Sequence, residues 1–290
     1  MALNVSTFKT RTLTAAVFVV VMLAGLLWNY WSFFILFSII HFGCWIEYFR
    51  LVSKIDTGYT NIGLIHRLAA MLCGWCFMLF FTSLRYPKEF GIDDSYFVVA
   101  AIALFMIFVC SVLFKKPMLG KNIAHSIMGL TYISLPLGLM ISLRNFGTGD
   151  FLGSFLDYGW IVPMVLIGSI WINDTMAYIV GSFIGKTPFS KISPKKTWEG
   201  TIGGALLAIL VVSIVMMLVF PNDDFWPWTI VAVLASVMGT LGDLFESKLK
   251  RLAGVKDSGH IMPGHGGFLD RFDSLLFAIP FVWLFTVLMH

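Results

Sequence analysis

Long apolar runs, separated by short polar segments, form the dominant pattern of this 290-residue chain. The runs at 13–28, 97–114 and 201–220 approach the roughly 20 residues that an α-helix needs to cross the hydrocarbon core of a bilayer. Windows of this length predict an all-α polytopic membrane protein with about nine transmembrane helices. The predicted spans lie at residues 12–28, 31–49, 63–83, 96–114, 122–143, 159–184, 201–220, 227–246 and 274–289.

The Lys and Arg residues predict which side of the membrane each loop faces. With the N-terminus in the cytoplasm and alternating spans, only Arg85, Lys88 and Arg144 of the 20 basic residues fall on the far side. This bias agrees with the excess of Lys and Arg in the cytoplasmic loops of membrane proteins. We therefore predict a cytoplasmic N-terminus and a C-terminus on the far side, with the net charge of +4 concentrated next to anionic lipid headgroups.

The composition excludes a soluble protein. Hydrophobic residues make up 58% of the chain and charged residues 12%, whereas soluble domains carry about 25% charged residues. All four cysteines lie in apolar runs, and the pair Cys73 and Cys76 lacks the second pair or nearby histidine of a zinc site. We interpret the cysteines as packing residues and predict no disulfide framework.

Polar residues gather at the predicted cytoplasmic ends of the last four spans. Asp174 follows Asn173 inside the sixth span, where a carboxylate normally faces a cavity or a cation; a packing hydrogen bond to Asn173 is the structural alternative. The next loop, residues 193–200, places Lys195 and Lys196 before a predicted helix N-terminus. This arrangement predicts a polyphosphate-binding loop, with a solvated basic turn as the alternative.

A second polar cluster, residues 239–251, ends the eighth span. At helical spacing Asp243, Ser247 and Lys250 share one face. Lys250 can also pair with Glu246, four positions earlier. Because Asp243 lies at the membrane boundary, it is predicted to bind a divalent cation; a structural salt bridge is the alternative.

A third cluster, residues 256–274, is rich in glycine and precedes the ninth span. Asp270 and Asp273 are three positions apart, on one helical face. Carboxylates interspersed with cations suit phosphate held through Mg²⁺, because hard oxygen ligands take the metal and the cations take the remaining phosphate oxygens. His260 and His265 lack a zinc-like ligand set, so no imidazole metal site is predicted.

The order and spacing of these residues closely resemble the signature of the phosphatidate cytidylyltransferases (CDP-diacylglycerol synthases). The matching residues are Ser247, Lys250, Arg251, Lys256, Asp257, Pro263, His265, Gly266, Gly267, Asp270, Arg271, Phe272 and Asp273. The upstream segment 193–200, Ser-Pro-Lys-Lys-Thr-Trp-Glu-Gly, is similar to the family's other hallmark. Met262 departs from the pattern, since the family prefers Leu, Ile or Phe there; its apolar volume is similar.

The resemblance implies a reaction, a cofactor and an assembly. CTP and phosphatidate would give CDP-diacylglycerol and pyrophosphate at the cytoplasmic leaflet, with Mg²⁺ as cofactor; a second, monovalent cation such as K⁺ is left open. The expected partners are CTP, phosphatidate and membrane lipids, with no nucleic acid. Residues 1–290 would form one integral membrane domain and act as a homodimer, with a scaffold and dimerisation half at 1–145 and a catalytic half at 159–290.

The resemblance and the chemistry of the side chains together suggest roles for residues. The predicted metal ligands are Asp243, Asp270 and Asp273, and the predicted catalytic residues are these three with Lys250 and His265. The predicted nucleotide-binding residues are Ser193, Lys195, Lys196, Thr197, Glu199 and Asp174. The predicted lipid phosphate-binding residues are Ser247, Arg251, Lys256 and Arg271. Because phosphatidate is already an anionic nucleophile, we expect positioning and charge neutralisation, without a strong general base.

Two other functions are alternatives. A CTP-dependent kinase of a membrane polyprenyl or phytyl alcohol would share the nucleotide pocket but transfer the γ-phosphoryl group. A transporter is suggested by Asp174 within a glycine-containing helix, although the two halves show no obvious inverted repeat. The absence of targeting signals and long soluble extensions favours a bacterial inner membrane, with the active site at the cytoplasmic face. The acyl-chain preference and the choice between CTP and dCTP are left open.

Overall fold

The computed structural model describes residues 5–83, 94–113, 119–146, 158–190, 192–221, 224–259 and 266–289. These residues are nearly all helical, and an isolated bridge joins Pro188 to Thr197. A π-helical segment, Leu130–Ser134, connects the sixth and seventh helices. The α-helices are α1 (Val5–Leu27), α2 (Tyr30–Ile55), α3 (Thr57–Thr60), α4 (Leu64–Ser83), α5 (Asp94–Leu113), α6 (Leu119–Gly129), α7 (Leu135–Asn145), α8 (Ile161–Ile184), α9 (Trp198–Val219), α10 (Trp226–Leu252) and α11 (Leu269–Met289).

Seven helical stretches in the described part of the chain are long and apolar enough to cross a membrane. They are Tyr30–Ile55, Leu64–Thr82, Gly120–Asn145, Ile161–Ile184, Trp198–Val219, Trp226–Leu252 and Leu269–Met289. Shorter apolar helical stretches lie at Thr14–Leu27 and Val98–Ser111. The predicted all-α polytopic class is therefore confirmed, whereas the count of nine spans and the orientation of the termini stay predictions.

The chain forms two compact units, of which the first comprises residues 1–145 and 252–271. Its core contains a row of fully buried aromatic side chains on α2, including Phe33, Trp45 and Tyr48. The Trp45 indole donates to Ser134 Oγ (2.9 Å), and the Tyr48 hydroxyl donates to the carbonyl of His125 (2.7 Å). These hydrogen bonds satisfy the polar atoms of large rings that would otherwise be costly to bury.

The second unit comprises residues 146–251 and 272–290, and its helices are α8, α9, α10 and most of α11. Helices α8 and α9 pack closely because Gly204 has no side chain; a Cβ there would collide with the backbone of Ala177. Gly242 has the same effect between α10 and α11, because a Cβ there would collide with the backbone oxygen of Asp273. This close approach brings Asp243 and Glu246 of α10 close to Asp273 of α11.

Candidate active site

Three carboxylates meet between α10 and α11 of the second unit. Asp243, Glu246 and Asp273 each offer an oxygen, and these oxygens lie within 4.8 Å of one another. Glu246 is fully buried, Asp273 is 6% exposed and Asp243 is partly exposed. Carboxylates held this close repel one another unless cations or protons compensate their charge. The cluster therefore offers the hard oxygen ligands that a divalent cation such as Mg²⁺ requires.

Two lysines compensate part of this charge. The Lys196 ammonium forms an ion pair with Asp243, and the Lys250 ammonium forms one with Glu246, at the i,i+4 spacing noted in the sequence. Burial lowers the pKa of Lys196, while the nearby carboxylates of Asp174 and Asp273 act in the opposite direction. The structure thus brings Lys196 of the predicted polyphosphate loop to the predicted metal ligand Asp243.

Asp174 and Ser247 lie at the edge of this cluster. The Asp174 side chain is exposed on α8 and accepts a hydrogen bond from the Asn173 amide at 3.3 Å. The Ser247 hydroxyl donates to Asp243 Oδ1 at 3.4 Å. The packing hydrogen bond considered for Asn173 is therefore formed, and the Asp174 charge also acts on Lys196.

The loop that precedes α9 is shaped by Glu199. Its carboxylate accepts hydrogen bonds from the backbone amides of Lys186 and Thr187 at 3.2 Å and from the Thr187 hydroxyl at 2.8 Å. Thr197 caps α9 by accepting a hydrogen bond from the Gly200 amide. Both side chains hold the loop that presents Lys196, and their predicted contacts with a nucleotide stay predictions.

The remaining residues of this loop have simpler surroundings. The Ser193 carbonyl accepts a hydrogen bond from the Lys196 amide at 3.1 Å, which closes a turn. The Phe189 amide donates to the Lys196 carbonyl at 2.7 Å. Lys195, at the centre of the turn, is exposed. An exposed lysine beside a fixed one is consistent with the predicted polyphosphate-binding loop.

Asp270 lies in the first turn of α11, in the first unit. Its Oδ2 accepts hydrogen bonds from the Ser258 amide (2.8 Å), the Ser258 hydroxyl (2.9 Å) and the Gly267 amide (2.8 Å). Gly266 adopts a positive φ of 83° and approaches the same carboxylate so closely that a Cβ would collide with it. The glycines of the predicted signature therefore shape the backbone around Asp270.

Glu47 is a site residue that the sequence interpretation missed. It lies on α2 with no exposed surface. Its carboxylate accepts hydrogen bonds from the backbone amides of Phe268 and Leu269 (both 2.9 Å). It also shares the single hydroxyl proton of Ser258, at 2.7 Å, with Asp270. The signal was present, because an acid inside an apolar span marks a functional site by default. Glu47 fixes the backbone that carries Asp270.

The other predicted residues lie as follows. Lys256, Arg251 and Arg271 are exposed. His265 lies outside the described residues. Asp270 belongs to the first unit, whereas Asp243 and Asp273 belong to the second, and their joint use as metal ligands stays a prediction. Glu246, which the sequence interpretation assigned only to a salt bridge, joins Asp243 and Asp273 as a third acid.

These features define a polytopic helical membrane protein with a carboxylate cluster, two paired lysines and a basic loop. The model of the cytidylyltransferase family matches residues 9–289. The chain therefore belongs to the cytidylyltransferase family, which confirms the resemblance seen in the sequence.

Bacterial relatives support this assignment. A protein of Staphylococcus saprophyticus named phosphatidate cytidylyltransferase is 35% identical over 197 residues, which are 67% of this chain and 71% of that protein. A protein of the same name from Bacillus subtilis is 32% identical over 226 residues, 76% of this chain and 78% of that protein. The relative from Staphylococcus haemolyticus, also so named, is 36% identical over 186 residues, 64% of this chain and 67% of that protein.

Proposed function

We propose that this protein transfers the CMP moiety of CTP to phosphatidate and releases CDP-diacylglycerol and pyrophosphate. Family membership and the names of relatives that align over most of their length support this reaction. The observation that carries the proposal is the ion pair between Lys196 and Asp243. It joins the two separate motifs that a nucleotidyl transfer needs, one for the triphosphate and one for the metal.

The proposed chemistry follows from the charges involved. The phosphate of phosphatidate attacks the α-phosphorus of CTP in line, the bond to the β-phosphate oxygen breaks, and pyrophosphate leaves. The barrier comes largely from repulsion among anionic oxygens, so neutralising and positioning groups supply most of the catalysis. Mg²⁺ would be held by the predicted ligands Asp243 and Asp270 with support from Asp273, and it would supply charge neutralisation for phosphate oxygens. Glu246 is a further acid of the cluster with Asp243 and Asp273.

The chain's own cations complete the proposed site. Lys195 and Lys196 bind the β- and γ-phosphates and orient the leaving group. Lys250 holds Glu246 in place. The residues proposed to hold the lipid phosphate are Ser247, Arg251, Lys256 and Arg271. A monovalent cation such as K⁺ is a second proposed ion. No step requires a general base, because the nucleophile is already an anion near neutral pH.

The proposed setting is a bacterial inner membrane. We propose nine spans, with the N-terminus and the active site at the cytoplasmic face and the C-terminus on the far side. The protein is proposed to act as a homodimer. The excess of Lys and Arg in the predicted cytoplasmic loops supports this orientation, and the bacterial origin of the relatives supports the membrane.

Purified protein with phosphatidate, Mg²⁺ and CTP labelled at the α-phosphate tests the proposal. The label should appear in the lipid, together with unlabelled pyrophosphate. Label from the γ-phosphate in the lipid would instead identify a lipid kinase and overturn the proposal. The variant Asp270→Asn should lose turnover while still inserting into the membrane, since it removes the charge at a proposed metal ligand.

A further inference from the structure

A cavity of about 1010 Å³ lies in the first unit. Its walls come from the C-terminal half of α2, Thr60 of α3, the first half of α4 and the loop 255–259. None of these segments except the loop belongs to the motifs that carry the proposed reaction. The cavity is therefore a candidate binding site that the family signature does not explain.

Four cations and one acid line this cavity. Arg50, Lys54 and Arg67 come from α2 and α4, Lys256 comes from the loop, and Asp257 is the single carboxylate among the lining residues. The surplus of positive charge favours an anionic ligand. A phosphate monoester suits it better than a phosphodiester, because the monoester carries about −1.5 to −2 charges near neutral pH.

Arg67 is the most constrained of these cations. Its guanidinium lies over the Phe49 ring at 5.8 Å, and one of its terminal nitrogens donates to the Thr60 carbonyl at 3.3 Å. The buried Nε of Arg67 has no hydrogen-bond partner within the described part of the chain. A guanidinium fixed in this way presents a donor that a planar or tetrahedral oxyanion can use.

The rest of the wall is apolar. Ile46 on α2 and Leu64 and Leu68 on α4 line the cavity with exposed side chains, and both helices are candidate membrane spans. A ligand that fits must therefore combine an anionic end with a hydrocarbon end. An amphiphile with a phosphate headgroup satisfies both requirements, whereas a free nucleotide satisfies only the first.

Ser258 connects this cavity to Asp270 within the first unit. It lines the cavity and donates its amide and hydroxyl hydrogen bonds to Asp270, while its hydroxyl also contacts Glu47. An oxyanion held by the loop 255–259 would lie on the same short segment that holds Asp270. Ser258 thus both lines the cavity and hydrogen-bonds Asp270, which is a proposed metal ligand.

We propose that this cavity is the binding site for phosphatidate, with Arg50, Lys54 and Arg67 holding its phosphate monoester and Ile46, Leu64 and Leu68 contacting its acyl chains. This assignment rests on the proposed function and adds three cations, outside the family signature, to the lipid site. Lys256, which lines the cavity, belongs to both sets of residues.

Two measurements test the assignment with Arg67→Gln and with the double variant Arg50→Gln/Lys54→Gln. The first is the KM for dioleoyl phosphatidate in mixed micelles, which should rise about tenfold for each lost charged hydrogen bond, while the KM for CTP stays unchanged. The second is retention of dioleoyl phosphatidate, compared with dioleoylglycerol, on the purified protein without CTP. The wild type should prefer phosphatidate, and the variants should lose that preference.

Lys121→Gln is the matched control, because Lys121 is an exposed cation of the same unit that does not line the cavity. It should leave both measurements unchanged. The assignment is overturned if the cavity variants keep the wild-type KM and lipid preference, or if Lys121→Gln weakens phosphatidate binding equally. The double variant changes only exposed side chains, so the test stands even if Arg67→Gln fails to fold. Phosphatidate retention through these cations without any CDP-lipid formation would refute the proposed function alone.

Discussion

Glu47 shows how one residue can organise a distant segment. Its three hydrogen-bond donors lie 211 to 222 positions later in the chain, and Gly259 and Gly267 have no Cβ that would collide with its carboxylate. A buried carboxylate is tolerated when several donors replace the water it loses. Glu47 therefore acts as a positioning residue for the backbone around Asp270.

Glu47→Gln should destabilise the protein by about 1.5–3 kcal/mol, because it replaces charged hydrogen bonds with neutral ones. Thermal unfolding in detergent measures this loss. The kcat should also fall, since one of the two oxygens that accept from the Ser258 hydroxyl and from the amides of Phe268 and Leu269 is replaced by an amide nitrogen. Glu47→Asp retains the charge on a shorter side chain, so its losses of stability and of kcat should be smaller than those of Glu47→Gln. Wild-type unfolding and kcat in Glu47→Gln would contradict the positioning role.

The acidic cluster of the second unit makes a separate prediction. Asp273→Asn and Glu246→Gln should each weaken the binding of Mn²⁺, used as a spectroscopic probe for Mg²⁺, by at least about tenfold. The loss of a residue that only hydrogen-bonds a metal ligand already lowers metal affinity roughly 10–100-fold. Electron paramagnetic resonance of free Mn²⁺ measures the affinity without turnover.

Asp224→Asn provides the control for this experiment. Asp224 is an exposed acid of the same unit whose carboxylate accepts a hydrogen bond from the Trp226 amide at the start of α10. Its loss should not change Mn²⁺ binding. Equal affinities for wild type, Asp273→Asn and Glu246→Gln would show that this cluster holds no divalent cation.

Sequence reasoning found many candidate site residues and missed others for a physical reason. Asp243, Asp273 and Lys196 stand in polar segments, where charged side chains are conspicuous against an apolar chain. Glu47 stands alone in an apolar run, and its partners are backbone amides that any sequence contains. Glu246 was assigned to its local pair with Lys250, because i,i+4 spacing is visible in a sequence and a neighbouring helix is not.

At the scale of helices, the close packing of α10 and α11 depends on Gly242. Gly242→Ala would place a Cβ against the Asp273 backbone oxygen, the Phe277 Cβ and the Ser274 Cα. Backbone atoms cannot move aside as a flexible side chain can, so the helices must separate. We expect a loss of about 1–3 kcal/mol of stability and a strong loss of activity, measured by thermal unfolding and by turnover.

Gly239→Ala is a matched control one turn earlier on α10. Its Cβ would make ordinary contacts, the nearest being Ser274 Cβ at 3.4 Å. Alanine is a better helix former than glycine by up to about 1 kcal/mol, so this variant should be as stable as the wild type or slightly more stable. Equal behaviour of the two alanine variants would show that Gly242 has no special role in helix packing.

The helix bounds show what apolar windows can and cannot predict. The eighth predicted span, 227–246, lies within α10, which continues to Leu252. The ninth, 274–289, corresponds to α11, which begins earlier, at Leu269. Backbone hydrogen bonds extend a helix into polar sequence, whereas a hydropathy window ends at the first charges. The additional helical turns carry Lys250 and Asp270. These candidate site residues therefore lie in polar helix ends, outside the apolar windows that predicted the spans.

At the scale of the whole molecule, composition and periodicity were sufficient to predict the class of fold. The low charge content and the long apolar runs predict transmembrane helices. In lipid the backbone N–H and C=O groups must be hydrogen-bonded within the protein, and an α-helix does this within each segment. The grouping of helices into two units, by contrast, depends on contacts between remote segments such as α2 and the loop 255–259. Such contacts have no local signature.

The predicted orientation can be tested with reporter fusions. Alkaline phosphatase fused after His290 should be active, because the proposed nine spans and the excess of Lys and Arg in the predicted cytoplasmic loops predict that this end lies outside the cytoplasm. A fusion after Lys116, in a predicted cytoplasmic loop, should be inactive. An inactive reporter at His290 together with an active one at Lys116 would reverse the proposed topology.

The pairing of Lys196 with Asp243 makes the lysine a built-in counter-ion. If Asp243 binds a divalent ion as proposed, its carboxylate would no longer need Lys196 as a partner, and the ammonium would be available for a phosphate oxygen of the nucleotide. A nucleotide that attracts Lys196 likewise exposes Asp243 to the ion. The two affinities must rise together by the same factor, because thermodynamic linkage is reciprocal. The enzyme should therefore take up its metal and its nucleotide most readily as a pair.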